Sequence, residues 1–462
     1  MVRGRGRVVT TGPRVRDRDR GTSVQVPGSV RVPLRSPAPE LFRRAMMSCP
    51  QSTQYRSMRH RSILELTSGV ITAVRSFRST MPSPENRATG PGRRPAPRVD
   101  HTAFAGARAI AAWWVVFSHS ADWLFSVLPE LSWLAPMAHT GLAVDVFFVL
   151  SGYTIARAYL DRRWTWPAYG RFLRNRVARL YPAHVAVLLA FALLCVGGAM
   201  VGVPTDDGAF PPIGLLAELT LTRAWFGDAL WWNPPAWSLS AQFLAFILFP
   251  AIALAFRGRV RGPVPVVTLS IVLVSATTIA AALAPSAMNG MAPPALRVLC
   301  CFALGICVAE WTVALPATRR AAWVAAGGAA GLVVAAIALE PGAPRAWAAI
   351  TFAAIIVGGL AVASQRSTAG LRSRPARFLG QLSFSTYLVH VFVLILLAKA
   401  ITPSAVDGMP LLLRAPIILA WFGSILAASW LLHTLVEVPW HRRLAAPRTS
   451  RAVHADGSAT GA

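Results

Sequence analysis

The chain has 462 residues, of which 54% are hydrophobic and 14% charged, and a mean hydropathy of +0.49; such a composition excludes an ordinary soluble domain and points to a polytopic membrane protein. The net charge of +27 is concentrated in the first hundred residues and in short connections between apolar runs, with Lys399 the only lysine, which argues against a nucleic-acid surface. The five cysteines (Cys49, Cys195, Cys300, Cys301, Cys307) have neither metal-ligand nor disulfide-framework spacing, so no bound metal or cofactor is expected.

Residues 1–100 are rich in Arg, Pro, Gly and Ser and show no sustained apolar periodicity, so they read as a disordered arm or as an over-long gene start. They contain no uninterrupted apolar signal core. Ten spans follow: 104–128, 138–158, 180–203, 237–256, 264–284, 295–315, 321–339, 346–364, 379–400 and 411–436. The shorter apolar piece 211–222 reads as re-entrant or interfacial. Arginine-rich and arginine-poor connections alternate throughout, from the seven arginines between spans two and three to the cluster Arg442, Arg443, Arg448 and Arg451 in the tail. The positive-inside rule then places both termini in the cytoplasm, in the cell membrane. The expected organisation is an all-α, polytopic membrane helix bundle of about ten transmembrane helices over 101–440, with the arm before it and a short tail at 441–462.

The first span, around ARAIAAWWVVFSHSAD at 107–122, carries Arg108, His119 and Asp122. Ionisable groups at membrane depth are costly and mark a functional site by default. Arg108 and His119 are eleven residues apart, which at about 100° per residue puts them within roughly 20° on one helix face and about 16 Å apart along the axis. Asp122 is expected to reach the imidazole as an i, i+3 neighbour. These residues admit two readings. One is an anion site below a titratable base; the other is a snorkelling arginine and a packed histidine.

Five further stretches are unusual for plain membrane helices: GLAVDVFFVLSGY at 141–153, FLRNRVARLYP at 172–182, PPAWSLSAQF at 234–243, LGQLSFSTYLVH at 379–390 and VEVP at 436–439. Together with the first span, in this order, they resemble the acyltransferase 3 family of membrane O-acyltransferases. Arg297, Phe302 and Gly305 add a lesser match. The resemblance implies transfer of an acyl group, usually acetyl, from cytoplasmic acyl-CoA to a hydroxyl of a sugar, glycan or secreted metabolite. It also implies that His119 is catalytic and that Arg108 and the arginines before the third span serve the donor or the active conformation.

The residues fit that implication. Arginine recognises phosphate through a planar fork, and Arg174, Arg176 and Arg179 lie at the expected cytoplasmic mouth of the third span. Histidine, with an ordinary pKa of about 6.5, can take a hydroxyl proton or accept the acyl group itself; the sequence leaves both routes open. Asp145, in the second span, needs a partner, which His119, Arg297 or substrate can supply. Ser151 and Gly152 suit close helix approach or substrate contact. Trp237, Gln242, Tyr387 and His390 are further substrate-pocket candidates, although at position 242 the family usually carries an acid. Glu437 is expected to pair with an arginine. The expected partners are thus the bilayer, acyl-CoA and a hydroxyl acceptor, and not nucleic acid. Two other classes remain, a glycan or lipid transporter and a catalytically inactive relative.

Overall fold

The computed structural model describes residues 102–445, apart from 139, 202–211, 226–231, most of 257–293, 314, 341–342, 364–365 and 407. The helices are α1 (Thr102–Val127), α2 (Thr140–Tyr159), α3 (Trp166–Met200), the short α4 (Pro212–Leu219), α5 (Trp237–Phe256), α6 (Pro294–Thr312), α7 (Arg320–Ala338), α8 (Ala343–Val362), α9 (Arg374–Ala400), α10 (Leu411–Leu432) and the short α11 (Val438–Leu444). A π-helical turn, His433–Glu437, joins the last two. Nine expected spans are helices. The fifth, 264–284, lies largely outside the described residues, as do the arm and most of the tail. By length and composition, eight helices among the described residues can cross a membrane. Helix α1 falls short of that measure because Arg108, His119 and Asp122 lower its hydropathy.

One boundary differs from the sequence reading. The third span was expected to begin at 180, after an arginine-rich connection, but α3 begins at Trp166 and runs for 35 residues. Arginine is a good helix former, so a dense charge run does not end a helix. The start is set instead by Thr165, whose side chain accepts from the Ala168 amide at 3.4 Å, and by Pro167 in the first turn. Pro182 sits inside the helix without ending it. Helix α9 starts the same way, with Ser373 accepting from the Ala376 amide at 3.3 Å.

Two glycine-mediated crossings set the centre of the bundle. At the first, Gly106 of α1 meets the backbone of Leu371, and Gly380 of α9 meets that of Ala105, leaving no room for a Cβ. At the second, a Cβ on Gly152 of α2 would overlap the Phe302 carbonyl of α6, and one on Gly305 would overlap the Val149 carbonyl. Small residues allow backbones this close approach where lipid supplies no hydrophobic drive between helices. Helix α6 is buried nearly all round, with Phe302, Leu304 and Ile306 fully covered. Outer helices turn apolar side chains outward instead, as with Trp323 at 79% and Leu412 at 84% exposure, which suits a lipid-facing surface.

Candidate active site

The tight α1–α9 crossing brings His119 and His390 together. Their ring centroids are 4.9 Å apart at 60°. His390 Nε2 lies 3.2 Å from His119 Nδ1, which also lies 3.0 Å from the Val115 carbonyl. His390 Nδ1 lies 2.9 Å from the Tyr387 carbonyl and 3.2 Å from that of Thr386. The two rings differ in access: His390 is fully buried, whereas His119 is solvent-accessible although protein surrounds it. Asp122, the expected orienting carboxylate, is exposed and makes no hydrogen bond from its side chain among the described residues. Helix geometry brought it near in sequence, but its face of α1 turns away, and the ring beside His119 comes from α9 instead.

Asp145 is completely buried and is held by Arg297 through two bonds, Nε to Oδ1 at 2.8 Å and Nη2 to Oδ2 at 2.6 Å. Cys301 adds a weak donor at 3.7 Å. Of the three partners the sequence allowed, the structure supplies Arg297, and the pair ties α2 to α6 beside the Gly152 crossing. Gly152 serves that crossing. The hydroxyl of half-buried Ser151 has no hydrogen-bond partner among the described residues.

The arginines take separate positions. Arg174 donates to the carbonyls of Leu444 and Ala445 at 3.0 and 3.2 Å, so it holds the end of α11. Arg176 lies over the rings of Tyr159, Phe172 and Phe246 at 5.6, 5.5 and 5.9 Å, in cation–π contact, with its Nε buried and unbonded. Arg179 is 46% exposed and reaches Glu437 at 3.5 Å. It is near enough to both Arg176 and Arg108 for their charges to repel. Arg108 is half-buried, with no hydrogen bond or ion pair among the described residues. Arg108 and Arg176 thus both lie near Arg179, whose carboxylate partner, Glu437, also accepts from Ser385 at 2.8 Å and contacts His433 Nδ1 at 2.9 Å. A cluster with this surplus of positive charge is suited to a polyanionic ligand.

The start of the 234–243 stretch packs against α9, the helix that carries His390. Tyr387 donates its hydroxyl to the Pro235 carbonyl at 3.2 Å, and its ring lies 6.0 Å from that of His390. Trp237 meets Phe148 edge-on at 6.1 Å, and half-buried Gln242 leaves its Nε2 buried without a partner. Sequence reasoning missed Asn233, which is fully buried and donates from Nδ2 to the Leu388 carbonyl at 3.1 Å, two residues before His390. It also missed the buried pair Arg223–Glu218, at 2.6 Å, against which His184 packs. An acid and a base five residues apart in an otherwise apolar stretch were the available signal.

The chain is 27% identical over 332 residues to the acyltransferase MdmB of Streptomyces mycarofaciens, covering 66% of this chain and 81% of that protein. It is 37% identical over 150 residues to protein 2 in the picA locus of Rhizobium radiobacter, covering 29% of this chain and 72% of that protein. No solved structure matches. The profile of the acyltransferase 3 family, described as an acyltransferase domain, matches residues 101–434, and the chain therefore belongs to that family of membrane acyltransferases.

Proposed function

We propose that this protein is an O-acyltransferase of the cell membrane that takes an acyl group, acetyl foremost, from cytoplasmic acyl-CoA and places it on a hydroxyl of a sugar, glycan or secreted metabolite. One observation carries the reading. Helix α1 presents a half-buried arginine without a counter-charge among the described residues and, on the same face, about 16 Å further along, an accessible histidine. Arg108, Arg176 and Arg179 supply a cationic mouth for the phosphates of CoA, and the extended pantetheine arm bridges the distance to His119. With both termini cytoplasmic, as the arginine pattern favours, that mouth opens to the cytoplasm.

The chemistry then uses His119 Nε2, since Nδ1 is engaged by Val115 and His390. The acceptor oxygen attacks the thioester carbon while its proton moves to Nε2. The C–S bond breaks, and the proton passes to the departing thiolate, giving an ester and free CoA thiol. An acyl-imidazole would form at the same nitrogen, and covalent labelling of the protein by the donor distinguishes that route.

Incubating the purified full-length protein with labelled acetyl-CoA tests the proposal. Wild type should release CoA, with water standing in for the acceptor hydroxyl. His119→Ala should lower turnover by about 10²- to 10⁴-fold and leave donor binding nearly intact, because the imidazole acts on the reacting centre and not on the phosphates. Near-normal turnover in a folded His119→Ala variant would overturn the catalytic reading and favour a transporter or sensor.

A further inference from the structure

We propose that His390 is the positioning partner of His119. In this role it fixes the tautomer that leaves a lone pair on Nε2 and shares the charge the ring acquires when it takes a proton. The inference rests on the acyltransferase reading for its catalytic half; the tautomer follows from geometry alone.

The hydrogen-bond arrangement leaves little freedom. Carbonyl oxygens only accept, so His390 Nδ1, between the carbonyls of Thr386 and Tyr387, carries a proton. In the neutral ring, His390 Nε2 is then an acceptor. His119 Nδ1 faces two acceptors, that nitrogen and the Val115 carbonyl, and must also carry a proton. The basic nitrogen of His119 is therefore Nε2. When Nε2 takes a proton, the second on the ring, the Nδ1–H bond to His390 becomes a charge-assisted one and strengthens.

Among the described residues the acids and hydroxyls near the pair have other commitments. Asp122 is exposed and makes no such contact. Asp145 is committed to Arg297 by two bonds. Tyr387 gives its hydroxyl to the Pro235 carbonyl, and Ser385 gives its own to Glu437. Asn233 braces the carbonyl of Leu388, and so the turn of α9 that carries His390. Full burial keeps His390 itself from substrate, so it acts through His119. A neutral histidine thus stands where many catalytic dyads use a carboxylate.

Two substitutions differing by one methylene separate this role from plain packing. His390→Gln places a carbonyl oxygen where Nε2 stands and can still accept from His119. His390→Asn reaches only as far as Nδ1. In the purified full-length protein, His390→Asn should lower kcat roughly 10- to 100-fold, the worth of one hydrogen bond to a charged group, with KM for acetyl-CoA little changed. His390→Gln should recover most of that loss. Equal impairment of both, or wild-type kcat in the Asn variant, would overturn the proposal. A second measurement needs no turnover and no change at His390. In wild-type protein labelled with ¹⁵N-histidine, the His119 resonances, assigned by their loss in His119→Ala, should show a protonated Nδ1 and an unprotonated Nε2. The reverse pattern would overturn the assignment, whereas an error in the donor's identity would leave this spectrum unchanged.

Discussion

Breaking the Asp145–Arg297 pair distinguishes a structural acid from a chemical one. Arg297→Met leaves a completely buried carboxylate without the two bonds, at 2.8 and 2.6 Å, that now compensate its charge. Removing one partner of a buried pair costs about 3–5 kcal/mol, roughly a hundred- to several-thousand-fold in the folded-to-unfolded ratio. Asp145→Leu should cost a similar amount by stranding the guanidinium. The double variant Asp145→Leu/Arg297→Met removes both charges and keeps apolar volume, so it should regain most of the stability, since well-packed apolar replacements of buried pairs are often neutral or better. Thermal unfolding in detergent, followed by tryptophan fluorescence, reads the stability of all four proteins. Turnover of labelled acetyl-CoA at equal folded protein reads the chemistry. Single variants that melt with wild type would refute the claim that this pair fastens α2 to α6. A double variant that is stable but inactive would return Asp145 to the chemistry.

Three other outcomes follow from the same geometry. Arg179→Ala should raise KM for acetyl-CoA, with excess donor restoring much of the rate; an unchanged KM with a lowered kcat would remove Arg179 from donor recognition. Gly152→Ala should sharply lower the yield of folded protein in the membrane, because the new methyl overlaps the Phe302 carbonyl and overpacking typically costs about 1–3 kcal/mol or more; normal accumulation and activity would show that the α2–α6 crossing yields readily. Gln242→Glu places an acid at position 242 and should shift the pH–rate profile if that position takes part in proton transfer; an unchanged profile would exclude it from the site.

The sequence by itself determined whatever depends on one helix or on chain order. Apolar runs of bilayer length and alternating arginine-rich connections carried the helical membrane class. The eleven-residue spacing of Arg108 and His119 placed them on one face, because helix pitch alone sets that relation. Six motifs in order carried the family. Only the tertiary structure decided which groups meet across helices. His390 is 271 residues from His119, and Arg297 is 152 residues from Asp145. Their meetings depend on the rotation and depth of each helix, which a span apolar on nearly all sides does not encode. Asp122 shows the limit: its spacing put it near His119, but the packing of α9 against α1 decided that the neighbour is another histidine. The arginines show it again. Their charge announced a membrane boundary, while the long helix beneath them, its contact with Glu437 and its approach to Arg108 decided that Arg179 faces solvent and Arg174 binds the end of α11. Charge sets which side of the membrane a segment prefers; close packing of side chains decides which partners each charge finds.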